Sequence, residues 1–598
     1  MAQVLYVESP WGGSPLAMAT ASATVATGQA AACVAASCFS RPPVNRPWRP
    51  APLLPCRGPA WALEAAARPA TRPSLPAFGL VLGFGLGQLA VQLGSSARSR
   101  RRRTYGRRMG RSTVRASANT FLDAAAASAA VREALGANMP DPPRPGRSDS
   151  KMRPLLVAMG TRGDVEPCLH LAVALRARGH EPLVLSLGRH EAEVVGRWGL
   201  DFRSCGLDQV PMSQDYLTGC TRADQVYADR GWYGDAWVDV GQRIYAAATE
   251  HRCDVIVSTS MGNTHALDVA ETLGIICIAL KFCPDIDGQV PTSAFAPSGY
   301  PTGMPGPLNM AAHVLENLRT VGAVFAGGFI PRVIEFRKEL GLESLLLADD
   351  IEVPTYTPYR QTLQANQPCI YAFTEALVDR PPEYKPWHFV TGTMGPSAVG
   401  GESSTGVQAN PLSPGLLAFL DEDAGSTGPA CIAFGSMTLA RSAPFQARAL
   451  AAARRLGLRA VVVDPEAAEE GRCPEDAGVY RVRSAPYAAL FPRCGAVVHH
   501  GGAGTLQDCL WAGVPQVVAP VLSWSDQPFW ALALEAKGLG LAVGGGGEAP
   551  EAEAWERALQ QAFGRAEELR AAAGAVAARA AGERGAEAAC DIVEGALL

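Results

Sequence analysis

The residue types best suited to chemistry lie in one stretch, His499-His500-Gly501-Gly502-Ala503-Gly504-Thr505, between an apolar run at 496–498 and a run with helical spacing that includes Leu506 and Leu510. A glycine-rich turn between a strand and a helix exposes backbone N–H groups at the positive end of the helix dipole, where a diphosphate binds well. The glycines let phosphate oxygens approach the backbone, and His500 supplies a further donor. The alternative is an ordinary buried turn whose histidines are satisfied within the protein.

A second polar pair, Asp526 and Gln527, follows the next apolar run at 515–520. Consecutive strands of a doubly wound sheet end at the same edge, so this pair is expected beside the glycine-rich turn. A carboxylate next to an amide suits the vicinal hydroxyls of a sugar, because together they offer acceptors and a donor. Asp526 also precedes Gln-Pro as a helix N-cap would, and the two roles are compatible.

A third stretch, Gly160 to Asp164, follows the apolar run 154–159 near the start of the second quarter of the chain. It matches neither the dinucleotide-binding glycine pattern nor the Walker sequence, so it is weak evidence for a phosphate loop. A helical pattern from Pro167 to Arg178 and a strand at 183–187 come next. This β-α-β order predicts a parallel sheet.

Further apolar runs predict the rest of the architecture. The stretch 308–340 has helical spacing with a break expected at Pro331, and the Pro-rich loop 281–307 before it is expected to border a binding pocket. Additional strands are expected at 255–258, 275–280, 369–373, 388–391, 460–463, 479–482, 496–498, 515–519 and 539–543, with another β-α unit opening at 430–437. Strands alternating with helices indicate an α/β fold with helices on both faces of parallel sheets.

The His-His-Gly-Gly-Ala-Gly-Thr and Asp-Gln-Pro-Phe-Trp sequences resemble the nucleotide-sugar signature of the GT-B glycosyltransferases, in the branch with sterol and antibiotic glycosyltransferases. The resemblance covers about residues 152–598. It implies two Rossmann-like, doubly wound domains that face a cleft. It also implies inverting transfer of a hexose, with UDP-glucose as the expected donor, to a hydroxyl of a lipophilic acceptor such as a sterol. No metal or other cofactor is expected.

The resemblance assigns roles to individual residues. The opening loop, with Gly160, Thr161, Arg162 and Gly163, would face the acceptor, and Asp164 would be the base that deprotonates its hydroxyl. The alternative for Asp164 is that it only complements a helix dipole. His500 is the second residue with an expected catalytic role, because it would stabilise the leaving diphosphate. The expected donor-binding residues are Gly435, Ser436, Ala485, His500, Gly501, Gly502, Ala503, Gly504, Thr505, Asp526 and Gln527.

One departure from the family pattern concerns the nucleobase. Ser484 stands where plant relatives place a Trp under the uracil, which weakens the inference of a uridine-linked donor and leaves the backbone at Ala485 to hold the base.

Composition divides the chain into segments. Residues 1–150 are rich in Ala, Ser, Pro and Arg, with Glu8 and Glu64 the only acids before Asp123, which is typical of an organelle leader, here expected for a plastid. Residues 75–93 are apolar and about long enough to cross a bilayer, and arginines follow them. A retained membrane anchor, with a membrane surface as partner, and a disordered tail in a cytoplasmic protein are the alternatives. Residues 151–394 are expected to bind the acceptor, 395–415 to form a linker, and 416–598 to bind the nucleotide sugar.

Overall composition narrows the function classes. The net charge of −4 gives no general attraction to nucleic acid, and none is expected as a partner. The 15 cysteines show no zinc spacing and are expected to be small buried side chains in a reducing compartment. Two rival functions remain: an epimerase or hydrolase of nucleotide sugars, and a lipid- or sterol-binding module without activity.

Overall fold

The computed structural model describes the chain from Lys151 onward, with gaps. The described residues are 151–160, 162–206, 235–284, 291–297, 300–301, 303–326, 329–348, 351–355, 360, 364, 366–395, 412–422, 427–435, 439–523, 525–545 and 547–596. All of them belong to one unit of the chain, residues 73–598. The expected leader with its apolar segment, most of the expected linker, Thr161 and Ser436 lie outside them. Within these ranges no helix is long and apolar enough to cross a membrane.

The first half of the described chain folds around a parallel sheet. In chain order the described strands of this half are β1 Pro154–Val157, β2 Leu183–Ser186, β3 Asp201–Ser204, β4 Val255–Thr259, β5 Ile276–Lys281, β6 Ser344–Ala348, β7 Ile351–Pro354, β8 Cys369–Tyr371 and β9 His388–Val390. The main sheet has the order β3-β2-β1-β4-β5-β8-β9, and β6 and β7 form a separate antiparallel pair. Strands β1, β2 and β4 are short runs of largely aliphatic residues buried on both faces, which is typical of a parallel sheet covered by helices.

The described part of this half includes the helices α1 Arg162–Ala177, α2 Glu191–Gly196, α3 Asp235–His251, α4 Asn263–Leu273, α5 Gly306–Ala326 and α6 Phe329–Glu339. Helix α1 begins at Arg162, so the predicted start at Pro167 was wrong. Asp164 in the first turn complements the helix dipole, and the Arg162–Glu166 ion pair at 3.0 Å spans the next turn. Pro167 lies inside this helix, in its second turn, where it cannot donate the backbone bond to the carbonyl of Gly163.

The predicted break at Pro331 is displaced by a few residues. Helix α5 ends at Ala326 and α6 begins at Phe329, so Pro331 lies in the first turn of α6, a position that needs no N–H donor. The sequence interpretation missed β3, with its exposed residues Asp201 and Arg203, and the pair β6–β7. Strand β3 lacks the continuous apolar run that marks a central strand, whereas β6 contains such a run, SLLLA, which was not recognised as a strand.

The second half repeats the architecture. Its elements are α7 Pro414–Asp421, β10 Ala430–Ala433, α8 Leu439–Arg455, β11 Ala460–Val463, β12 Gly471–Cys473, β13 Asp476–Val482, α9 Tyr487–Leu490, β14 Ala496–His499, α10 Ala503–Ala512, β15 Gln516–Val518, α11 Gln527–Ala536, β16 Gly540–Ala542, α12 Ala552–Gly564, α13 Ala566–Ala580 and α14 Gly585–Gly595. The sheet order is β12-β13-β11-β10-β14-β15-β16. Only the edge pair β12–β13 is antiparallel in this sheet. The predicted fold class, two doubly wound α/β units, is confirmed.

Helix α14 crosses back to the first half. Its buried residues Ala589, Cys590, Ile592 and Val593 are part of the apolar core around β1 and α1. On the same side, Arg178 pairs with Asp591 at 2.6 Å and with Glu594 at 3.0 Å. The end of the described chain therefore joins the two halves by packing as well as by charge.

Candidate active site

Both sheets have a point where the strand order reverses, and the predicted site residues follow the strands at these points. In the first sheet, β1 lies between β2 and β4; in the second, β10 lies between β11 and β14. Loops at the carboxyl ends of such strands diverge and leave a crevice that binds ligands. Gly160 follows β1, Gly435 follows β10, and His500 follows β14.

The glycine-rich turn has the geometry of an anion site. Gly502 is the N-cap of α10 and provides no side-chain cap, so the first N–H groups of the helix, at Ala503, Gly504 and Thr505, have no partner within the helix. The imidazole of His500 lies against Gly435 and Gly502, because a Cβ at either glycine would stand 3.2 Å from His500 Cε1 and 2.5 Å from His500 Nε2 respectively. A side chain at either position would displace the ring.

His500 has a free hydrogen-bonding atom in this turn. Its Nδ1 is buried and has no partner among the described residues. Burial and the neighbouring His499 lower the pKa of His500 to about 3, so the ring is neutral at physiological pH. A neutral imidazole can donate one hydrogen bond to a phosphate oxygen, and the turn offers backbone donors beside it.

Asp526 has a different local role from the one its sequence position suggests. It is the N-cap residue of α11, but its side chain makes no capping bond. Instead, the indole N–H of the buried Trp530 donates to Asp526 Oδ2 at 3.0 Å. Burial, and then the charge of Asp164, raise the pKa of Asp526 to about 6. The carboxylate is thus oriented by Trp530 and stands near a second carboxylate.

Gln527 is buried and braces the loop before α11. Its Oε1 accepts from the backbone N–H of Val521 at 2.8 Å and of Leu522 at 2.9 Å. The side chain is 4% exposed, which leaves its amide little surface toward the cleft. The sequence interpretation did not anticipate this bracing role, and the expected contact of Gln527 with a sugar stays a prediction.

Asp164 lies in the first turn of α1, against Gly160. A Cβ at Gly160 would stand 2.2 Å from Asp164 Oδ2, and Gly160 has a φ of 134°, so this position accepts only glycine beside the carboxylate. Arg162 and Gly163 form the start of the helix, and Thr161 lies outside the described residues. The structure thereby brings two predicted site carboxylates, Asp164 and Asp526, close enough for one to raise the pKa of the other.

Contacts between the halves surround these carboxylates. Arg162 and Glu166 of α1 act electrostatically on Asp508 of α10, whose pKa is raised to about 7 by burial and by Glu166, with Arg162 opposing. The rings of Phe295, from the Pro-rich loop, and Phe529, of α11, meet edge to face at 5.1 Å. The first turns of α1 and the Pro-rich loop of the first half therefore lie near α10 and α11 of the second.

The predicted nucleobase region lies at the end of β13. Ala485 follows this strand and is partly buried against the core that includes Tyr487. Tyr487 opens α9 and stacks on Phe491 with ring centroids 4.3 Å apart. Across the described ranges, no three His, Cys, Asp or Glu side chains come together in a way that would hold a metal ion.

Comparisons with known proteins identify the family. Residues 448–594 match the family described as "Erythromycin biosynthesis protein CIII-like, C-terminal domain". O-mycaminosyltylonolide 6-deoxyallosyltransferase of Streptomyces fradiae is 30% identical over 407 residues, which is 65% of this chain and 84% of that protein. The chain belongs to the GT-B glycosyltransferases.

Two further proteins, a curated relative and a solved structure, are similar to this glycosyltransferase. Sterol 3-beta-glucosyltransferase of Cryptococcus neoformans var. neoformans serotype D is 25% identical over 416 residues, 66% of this chain but 24% of that protein. The chain thus spans about a quarter of that relative's length. The crystal structure of the glycotransferase of kitacinnamycin is 19% identical and covers 75% of this chain and 100% of that one with a TM-score of 0.52. This last likeness shows the shared fold.

Several residues of the glycosyltransferase site were not anticipated from the sequence. Trp530, Asp508 and Glu166 contribute contacts or charge, and His499 pairs with Gln516. Asp508 lies about one helical turn after Thr505, so its position in the sequence already indicated that it shares a face of α10 with Thr505. The pairing of His499 with Gln516 joins two strands and depends on sheet register, which the sequence does not display.

Proposed function

We propose that this glycosyltransferase moves a hexose, glucose from UDP-glucose, to a hydroxyl of a lipophilic acceptor such as a sterol, with inversion at the anomeric carbon. One observation carries the proposal: the charge of Asp164, in the first turn of α1, acts on Asp526, at the start of α11 in the half that bears the His500 turn. A base on one side and a sugar-binding carboxylate on the other is the arrangement that an in-line displacement requires.

In the proposed mechanism, Asp164 removes the proton of the acceptor hydroxyl as that oxygen attacks the anomeric carbon. The bond from this carbon to the diphosphate oxygen breaks at the same time, and the diphosphate leaves with the electron pair. Its growing charge is stabilised by the N–H groups of Ala503, Gly504 and Thr505 and by the neutral His500. These donors are already in place before the reaction and need no reorganisation. Asp526, oriented by Trp530, accepts from sugar hydroxyls.

We propose that no metal takes part, because the helix N-terminus and His500 together offer donors to the leaving group. A chelator such as EDTA should leave turnover unchanged. A fall in turnover that Mg²⁺ or Mn²⁺ restores would contradict this part of the proposal.

The choice of sugar and acceptor is supported by relatives and by chemistry. One relative is named for transfer of a 6-deoxyallosyl group and another for glucosylation of a sterol. Both names describe attachment of a hexose-type sugar to a hydroxylated, largely apolar acceptor. The half-buried aromatic pair Phe295–Phe529 beside the loop offers an apolar surface of the kind such an acceptor would contact.

The experiment that tests the proposal is product analysis with the purified protein. UDP-glucose and a TDP-linked deoxysugar are supplied separately, each with and without a sterol-containing lipid extract, and nucleoside diphosphate and glycosylated lipid are measured. Sterol glucoside formed only with UDP-glucose supports the proposal. Acceptor-independent release would indicate a hydrolase, and lipid binding without release would indicate a binding module.

We also propose that residues 1–150 direct the protein to a plastid, from the paucity of acids and the abundance of Arg and Ser in that segment. Mass spectrometry of the N-terminus of the protein isolated from organelles would test it. An intact segment 75–93 in a membrane fraction would favour the anchor alternative and a membrane surface as partner.

A further inference from the structure

The first histidine of the turn, His499, makes two hydrogen bonds that the proposed diphosphate site does not by itself explain. His499 ends β14 and is fully buried. The backbone N–H of Gly501 donates to His499 Nδ1 at 3.1 Å. On the other side of the ring, His499 Nε2 lies 2.9 Å from Oε1 of Gln516, a fully buried residue at the start of β15.

These two contacts fix the tautomer of the imidazole. A backbone N–H can only donate, so Nδ1 of His499 carries the lone pair and Nε2 carries the proton. The Nε2–H group therefore donates to Gln516 Oε1, which forces the amide nitrogen of Gln516 away from the ring. That nitrogen is buried and has no partner in the described part of the chain. Burial lowers the pKa of His499 to about 4, which keeps the ring neutral.

The bond to Gly501 holds the backbone in a conformation that only glycine adopts easily. Gly501 has a φ of 92°, and a Cβ there would stand 2.9 Å from Val518 Cγ1 and 3.0 Å from Gln527 O. A side-chain acceptor that binds the N–H two residues later is the geometry of an Asx turn, made here by a histidine. Because the Gly501 N–H points to His499, the donors left for an anion are those at the start of α10.

We propose that His499 is a positioning residue, which together with Gln516 holds Gly501 in its left-handed conformation and so presents the first turn of α10 to the donor diphosphate. The inference rests on the proposed function, because it assigns this turn to a nucleoside diphosphate. The unpartnered amide of Gln516 supports it. A buried donor without a partner destabilises a fold, so the amide nitrogen of Gln516 lowers stability. The effect of the His499–Gln516 pair on the turn accounts for this cost.

The first test compares two substitutions at His499. His499→Ala removes the acceptor for the Gly501 N–H, and we expect the Kd for UDP and the KM for the donor to rise about tenfold, the effect of one lost hydrogen bond and a less ordered turn. His499→Asn keeps an acceptor at the right spacing and should restore most of the affinity. The KM for the acceptor should not change in either variant.

A matched control is His265→Asn. His265 is a buried histidine of α4 in the other half, packed edge to face on Phe336 at 5.0 Å. This substitution should lower the melting temperature and leave the Kd for UDP unchanged. If His499→Ala likewise lowers only the melting temperature, the inference is overturned.

A second variant, Gln516→Glu, changes the charge next to the ring. A carboxylate beside Nε2–H favours the imidazolium, whose Nδ1–H opposes the Gly501 N–H. We expect the UDP affinity of this variant to fall more steeply than that of the wild type as the pH is lowered from 8 to 6, because Asp508 of α10, with its pKa of about 7, and the terminal phosphate of UDP titrate alike in both proteins. Among the described residues, His500 is the other ionisable group coupled to His499, and with its pKa of about 3 it stays neutral throughout. A Gln516→Glu variant whose pH dependence matches that of the wild type would contradict the inference.

A readout without substrates separates this inference from the proposed function. In the wild type, ¹⁵N NMR should show His499 Nδ1 unprotonated, and the Gly501 amide should exchange slowly with solvent. Equally fast exchange in the wild type and His499→Ala overturns the inference. A protected Gly501 amide in a protein that binds neither UDP nor dTDP would instead overturn the proposed function, and with it the assignment of the turn to a diphosphate.

Discussion

At the residue scale, the proposed chemistry depends on two carboxylates that are held in different ways. Asp164 rests against Gly160 in the first turn of α1, whereas Asp526 is fixed by the indole of Trp530. Like charges in one site raise each other's pKa, and burial adds to the effect. Burial, and then the charge of Asp164, raise the pKa of Asp526 to about 6, so Asp526 takes up a proton more readily than a free carboxyl does.

The base prediction is tested by Asp164→Asn, which keeps the shape of the side chain and removes its basicity. We expect kcat to fall by a factor of about 10²–10⁴, the usual contribution of general base catalysis. Binding of UDP should be unaffected, because Asp164 lies in α1 of the half that the proposed mechanism assigns to the acceptor. The value of kcat is measured from the release of UDP in a coupled assay, and the affinity for UDP, measured by calorimetry, is the control. An unchanged kcat would mean that Asp164 only complements the helix dipole.

The pH dependence of the reaction follows from the pKa of Asp526, raised to about 6. Below this pH Asp526 is protonated, and it no longer offers an ionised acceptor to the sugar. The value of kcat/KM for the donor should therefore decline as the pH falls through about 6, with an apparent pKa that belongs to the pair. Asp526→Asn should lower kcat/KM and shift this acid limb to lower pH; an unshifted limb would assign it to another group.

At the scale of elements, apolar runs identified the central strands, and β11 was predicted with its observed bounds, Ala460–Val463. The start of α1 was misplaced because a proline is a strong signal for the first turn of a helix, and Pro167 was taken as that signal. The helix in fact begins five residues earlier, at Arg162, where an acid in the first turn and the Arg162–Glu166 ion pair stabilise it. The candidate site followed from strand–turn–helix motifs that carry their own chemistry. The support given by Gln516 depends on the register of β14 and β15, which single-sequence patterns do not encode, whereas the Trp530–Asp526 bond spans four residues of one helix, a spacing that the sequence does display.

Helix α14 provides a stability prediction at this scale. Ile592 is fully buried in the core of the first half, so Ile592→Ala should lower the free energy of unfolding by about 2–5 kcal/mol. Glu594→Gln on the same helix removes only the half-exposed contacts with Arg178 and His180 and should cost at most about 1 kcal/mol. Urea unfolding of both variants gives the comparison. Equal losses would mean that charge, and not packing, holds α14 in place.

At the scale of the whole molecule, the two halves meet through the site and through the segment before α14. Glu583 in that segment accepts from the Thr374 hydroxyl at 2.7 Å, and its other oxygen is buried without a partner among the described residues. Gly392, with a φ of 86°, lies against this carboxyl, since a Cβ there would stand 2.6 Å from Glu583 Oε2. The contact between the halves is thus sensitive to the charge of one group.

Stability should depend on pH through Glu583, because burial raises its pKa to about 7. The folded state then keeps a proton that the unfolded state releases above about pH 4, so this group's contribution to stability is present at low pH and is lost as the pH rises to 7. Glu583→Gln, a neutral mimic of the protonated side chain, should raise the melting temperature at pH 8 and leave it unchanged at pH 4. A variant that is destabilised at pH 8 would show that the charged form is the favoured one.

The crossing of α14 also has a consequence for synthesis on the ribosome. The core around β1 and α1 includes Ile592 and Val593, which are translated long after Val390 ends the first sheet. During that interval the nascent first half exposes the apolar surface that α14 later covers, and such surfaces attract chaperones or other nascent chains. The core of the half that is synthesised first is therefore completed only when the last described helix has been made.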